Sequence, residues 1–109
     1  MKPVVWLGNS LGQVRAFPEV VRQLAGYQLE RVQAGLEPSD CKPMPSVGLG
    51  VNEIRVSAGG AFRMIYLAKF PEAVYVLHAF RKKSAATAAR DLELARARFR
   101  ALIVERKHS

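Results

Sequence analysis

Hydrophobic and polar positions change period several times along the chain, and each change marks an element. Val4–Leu7 is a short apolar run behind Pro3 and predicts a first strand. Asn9 and Ser10 offer an N-cap, with Gln13 at the capping-box spacing from Ser10, and a brief helix through Leu11, Val14 and Phe17 follows. Pro18 suits the first turn of a second helix, where the N–H it lacks would have no partner. Val21, Ala25, Leu29, Val32 and Leu36 recur at helical spacing and give that helix one buried face, with Gly35 placed to end it. Residues 37–50 hold Pro38, Pro43, Pro45, Gly48 and Gly50, which predicts a loop long enough to have a task or to pack over a sheet.

From Val51 the period becomes two. Val51–Ser57 sets Ile54 and Val56 on one face and Glu53 and Arg55 on the other. Gly59-Gly60 signals a hairpin turn. Phe62–Phe70 is apolar on both faces apart from Arg63 and Lys69, as in a central strand. Pro71-Glu72 turns the chain, and Ala73–Phe80 reads as another strand. The remainder reads as helix, with Ala88, Leu92, Ala95, Phe99, Leu102 and Ile103 in a stripe and most of the arginines off it. The order β-α-α-β-β-β-α predicts an α+β fold. Its small antiparallel sheet is packed by helices on one face and left partly open on the other.

The length of 109 residues fits a single domain, 1–109. The formal charge of +8 changes the picture, because it favours a polyanionic partner such as nucleic acid, or an acidic protein. From Arg81 onward nine Lys/Arg stand against three Asp/Glu, so +6 of the total lies at the last strand end and in the last helix. Cys41 is alone, which excludes an intramolecular disulfide and suits a reducing compartment. In its Pro-rich loop it reads as an inert or partly buried thiol. Val4–Leu7 is too short for a leader or a spanning segment, so the expectation is a cytoplasmic protein with no membrane contact.

Phosphate-binding glycine loops and a nucleophile elbow are missing from the chain, and His78, His108 and Cys41 lack metal-ligand spacing. No metal or cofactor is therefore expected. What remains is a set of charges on the sheet. Glu53 and Arg55 project from one face, and Arg63 follows just after the hairpin on the adjoining strand. An arginine in an otherwise apolar strand is costly unless it is paired or faces a solvated cleft. The plainer reading is an ion pair that decorates the sheet. His78 shares a face with Phe80, and Arg81, Lys82 and Lys83 come directly after. His78 is a candidate acid, base or stacking group, with a satisfied packing residue as the competing reading. Tyr66 and Tyr75 are candidates for base stacking, against core packing. The chemistry such a cluster suits is RNA transesterification, in which a base takes the 2′-hydroxyl proton and cations stabilise the pentavalent phosphate.

Pro3-Val4-Val5-Trp6-Leu7, Phe17-Pro18-Glu19, Gly26-Tyr27-Gln28-Leu29 and Lys42-Pro43-Met44-Pro45 resemble the phage-derived Gp49-like branch of the RelE/HigB-type toxins. So do the Glu53-Ile54-Arg55 strand, the Arg63-Met64-Ile65-Tyr66 strand and the His78-Ala79-Phe80-Arg81-Lys82-Lys83 end. The resemblance runs from about Pro3 to Ile103. It implies a RelE-like fold and ribosome-dependent, metal-independent cleavage of mRNA, neutralised by a helix-turn-helix HigA-like antitoxin. It also implies that Arg63 stabilises phosphate, that Arg55 acts on the leaving group, that Glu53 is a base, and that Lys82 and Lys83 form a basic pair. Tyr66, Phe80 and Arg81 join Arg55, Arg63, Lys82 and Lys83 as expected RNA contacts, and His78 shares the proton chemistry with Glu53. Many members carry a further lysine where Ala86 stands before Thr87, so this cluster is poorer by one charge. The rival readings are a non-catalytic RNA- or ribosome-binding protein and a relative that only binds a protein partner.

Overall fold

The computed structural model describes residues 1–108. Its elements are β1 (Val4–Trp6), α1 (Ser10–Arg15), α2 (Glu19–Gln33), β2 (Cys41–Pro43), β3 (Val51–Ser57), β4 (Ala61–Leu67), β5 (Val74–Lys82) and α3 (Ala89–Lys107). The strands form one sheet in the order β1-β5-β4-β3-β2. The fold is α+β, consistent with the RelE-like expectation. β3, β4 and β5 make the expected antiparallel meander, turned first by Gly59 and Gly60, both at positive φ. β1 lies parallel to β5, and only against Val74–Val76.

Two features correct the expectation. The 37–50 segment carries a fifth strand, β2, which pairs Lys42 with Glu53 at the sheet edge. Pro43 is tolerated there because an edge position needs no ladder donor on its outer side. The helices also cover both faces. Ile54, Val56, Phe62, Met64, Val74 and Val76 meet α1 and α2 through Val14, Val21, Ala25 and Leu29. The alternate positions Val51, Ile65, Leu67 and Leu77 meet Ala95 and Leu102 of α3, with Met44 and Val47 of the loop sealing the same side. Strands that are apolar on both faces need cover on both, and α3 supplies the second layer.

The helix ends also differ in detail. Asn9 occupies the N-cap position of α1 but its side chain makes no cap bond, and Ser10 is buried with Oγ donating to the Val76 carbonyl at 3.2 Å. No capping box forms. Pro18 is the N-cap of α2 rather than a residue of its first turn. Gly35 ends that helix as expected. At φ +82° it donates to Val32 O while Leu36 donates to Arg31 O, the paired bonds that satisfy orphan carbonyls.

Candidate functional site

Register fixes the site on the sheet face that α3 covers. Arg55 on β3 stands directly opposite Arg63 on β4, which stands opposite Phe80 on β5. One step toward the strand end, Ser57, Ala61 and Lys82 form the next row. One step the other way, Lys42, Glu53, Ile65 and His78 form the row beside it. Two arginines directly opposed across a ladder repel. Each has its own carboxylate. Arg55, about a third exposed, reaches Asp40 Oδ1 at 3.0 Å through both Nε and Nη2. Arg63 is buried deeper, at 11% side-chain exposure, with Nε 3.6 Å from Glu53 Oε1. That distance is too long for a hydrogen bond. Arg63 Nη1 instead donates to the Phe62 carbonyl at 3.0 Å. Glu53 is 1% exposed, and its Oε2, like Arg63 Nε, is a buried polar atom without a hydrogen-bond partner.

A register shift in the β4–β5 ladder between Ile65 and Tyr66 places His78 opposite Ile65 and Val76 opposite Tyr66. Leu77 is the extra residue. Such a bulge lets consecutive side chains lean to one face, so Leu77 and His78 both meet the α3 layer. His78 is 3% exposed, and its ring lies 5.3 Å from that of Phe80 in a stacked arrangement. Nε2 is 2.7 Å from Asp91 Oδ1, and Nδ1 is 3.3 Å from Arg98 Nη1. Arginine only donates and carboxylate only accepts, so these bonds require a neutral ring with its proton on Nε2. Burial, foremost, pushes the His78 pKa below its ordinary value; Asp91 opposes that shift, and Arg98 and Arg90 add to it. Arg98 also donates to Leu77 O at 2.9 Å and Asn9 Oδ1 at 2.7 Å. Gly8, at φ +54°, leaves the room: a Cβ there would lie 2.4 Å from Arg98 Nε.

The structure thus brings together Glu53, Arg55, Arg63, Phe80 and Lys82. Lys83 is exposed just beyond, and Phe80, Lys82, Lys83, Arg90 and Asp91 line one groove. One expected contact lies elsewhere. Tyr66 belongs to the α1–α2 face and is 4% exposed, because it is an odd step from Arg63 along β4. Arg81 pairs with Phe62 on that opposite face and sits over its ring at 5.4 Å, yet it lines the same groove as Lys82 and Lys83. His78, the other expected acid or base, has both ring nitrogens engaged here, Nε2 with Asp91 and Nδ1 with Arg98. Tyr75 lies at the other end of β5, its hydroxyl donating to Glu72. The lone Cys41 is partly buried, and burial together with Glu37 pushes its thiol above the ordinary range, which suits an inert group.

Asp40, Asp91 and Arg98 were not singled out from sequence, and Asn9 was read only as an N-cap. Nothing local marks them, since each works through a partner distant in the chain. Among the described residues, no three His, Cys, Asp or Glu side chains gather as metal ligands, and no helix is long and apolar enough to cross a membrane. The profile of the family described as "Phage derived protein Gp49-like (DUF891)" matches residues 13–100. No curated protein matches the chain.

Proposed function

Because the chain belongs to the phage-derived Gp49-like family, a RelE/HigB-like toxin branch related to toxin–antitoxin systems, we propose that it is a ribosome-dependent mRNA endoribonuclease. In this reading one domain, 1–109, acts in the cytoplasm, and a helix-turn-helix HigA-like antitoxin neutralises it. The observation that supports the reading is the opposed pair Arg55 and Arg63, held in adjacent strands with Lys82 on the next row. Like charges kept face to face at a cost to the fold suggest that something anionic is to be bound between them.

The reaction is attack of a ribose 2′-oxygen on the adjacent phosphorus. The new O2′–P bond forms as the P–O5′ bond breaks, leaving a cyclic phosphate and a 5′-hydroxyl. Arg63 takes the phosphate oxygens, and its guanidinium offers a planar fork for them. Arg55 gives up Asp40, an exposed partner, and steadies the charge on the leaving O5′, which takes its proton from water to become the 5′-hydroxyl. Lys82 and Lys83 add positive field along the strand. Glu53 carries the unpaired Oε2 and takes the 2′-hydroxyl proton. Reaching it requires the loose Glu53–Arg63 contact to part as phosphate claims the guanidinium. His78 takes no proton in this scheme.

The test is induced expression of wild type beside Arg63→Ala, with growth and transcript integrity followed. Wild type is expected to arrest growth and cut transcripts. The substitution removes a charge aimed at the transition state and should lower cleavage by about 10²–10³-fold. Intact transcripts with both proteins, at equal folded yield, would reject the nuclease in favour of a binding protein that uses the same cations only for affinity.

A further inference from the structure

We propose that the Asn9–Arg98–His78–Asp91 network is a positioning device that uses the His78 ring as a fixed plate to set where Phe80 and Lys82 stand beside Arg63. The consequence for catalysis rests on the nuclease reading; the positioning itself does not. Three elements meet in the network. Asn9 comes from the turn before α1, His78 from β5, and Arg98 and Asp91 from α3, so its bonds tie α3 to both the turn and the strand. The bulge beside Leu77 aims His78 at α3, and Gly8 clears the space for the guanidinium that fixes its other nitrogen. His78 then stacks under Phe80, and Phe80 is the cross-strand neighbour of Arg63. Each contact passes a position to the next one.

A network satisfied on every side is rigid, and it is also conditional on one proton. Protonated His78 would present an N–H to Arg98 Nη1, setting two donors against each other. The groups facing the ring are Asp91, Arg98 and Arg90 from α3 and uncharged Asn9 from the α1 turn. On its own face of the sheet stand Glu53 and Arg63, with Lys82 and Lys83 at the end of its own strand. Most of these are cations, and they oppose a charged ring. Acidification should therefore loosen the plate, and Phe80 and Lys82 with it.

The experiment combines NMR of the whole chain with reporter-mRNA cleavage in a cell-free translation reaction. Wild type should show ring-nitrogen shifts of a neutral, Nε2-protonated His78 at neutral pH. Its Phe80 and Lys82 amides should move together with the ring on acidification, with a midpoint below that of an ordinary histidine. His78→Gln, which can both donate and accept, should abolish that coupled movement and keep most of the cleavage. His78→Ala, where folded by circular dichroism, should displace both amides and lose cleavage on the order of 10²-fold, as expected when a reacting group shifts by about an ångström. Asp91→Asn gives the same decision if His78→Ala does not fold, with smaller effects in the same direction. Phe80 and Lys82 amides that superimpose on wild type in His78→Ala and Asp91→Asn, or cleavage undiminished in those two, would overturn the proposal. Absence of cleavage by wild type would overturn the nuclease reading alone, and the amide shifts would still decide the positioning.

Discussion

Arg55 and Arg63 face each other across β3 and β4, and the two carboxylates that relieve them do so in different surroundings. Asp40 is half-exposed and its bond to Arg55 is screened by water. Glu53 is buried, so removing it would leave Arg63 with no counter-charge. Glu53→Ala should cost about 3–5 kcal/mol, while Glu53→Met with Arg63→Met should recover most of that loss. Urea unfolding of the single and double variants checks this, and a Glu53→Ala protein as stable as wild type would mean that the buried pair is not coupled. Glu53, Arg55 and Arg63 were legible in the sequence because a period of two and one glycine turn suffice to put them together. Asp40, Asp91 and Arg98 were not, and Asn9 was read only as an N-cap. The Arg98–Asn9 bond joins residues 89 apart, and no local spacing encodes it. The orientation of His78 depends on a bulge, and a single misplaced residue flips every later side chain of a strand.

At the scale of elements, the meander was readable because β3, β4 and β5 carry strong β patterns separated by turn residues. β2 was hidden by its length of three residues and its proline. The placement of α3 was misread because a helix stripe says that a face is buried and not against which side of a sheet. What joins α3 to the loop after β2 is specific. Arg96 Nε donates to Ser46 O at 2.7 Å, and Gly48 lies against the Phe99 ring so closely that a Cβ would sit 2.5 Å from it. At the far end, Arg106 bonds Glu72 at 2.8 and 3.1 Å and covers Phe70, and these bonds, with one from Tyr75, hold the Glu72 carboxyl down at about 2. Gly48→Ala should overpack this seam and lower stability by about 1–3 kcal/mol. Thermal unfolding measures the loss, and an unchanged midpoint would mean that Phe99 turns aside without cost.

For the molecule as a whole, the surplus of positive charge is the property that acts at a distance. The net +6 from Arg81 onward belongs to the end of β5, the groove beside it and α3. RNA binding should weaken steeply with salt, and Lys83→Ala should reduce the slope of log affinity against log salt by about 0.7, one single-strand phosphate contact. Arg22→Ala, on the exposed side of α2 over the opposite face, should leave that slope unchanged. A slope equally sensitive to both would place the RNA elsewhere. The sheet order has a consequence for how the protein comes into being. β1 finds its ladder only in Val74–Val76, so it must wait for β5, the last strand. A nascent chain that has reached the β3–β4 hairpin holds both arginines but not the strand that closes the sheet and brings Phe80, Lys82 and Lys83. Closing so long a loop is slow relative to local pairing. Synthesis therefore delivers the fold and the assembled cationic face together, after β5 has left the ribosome.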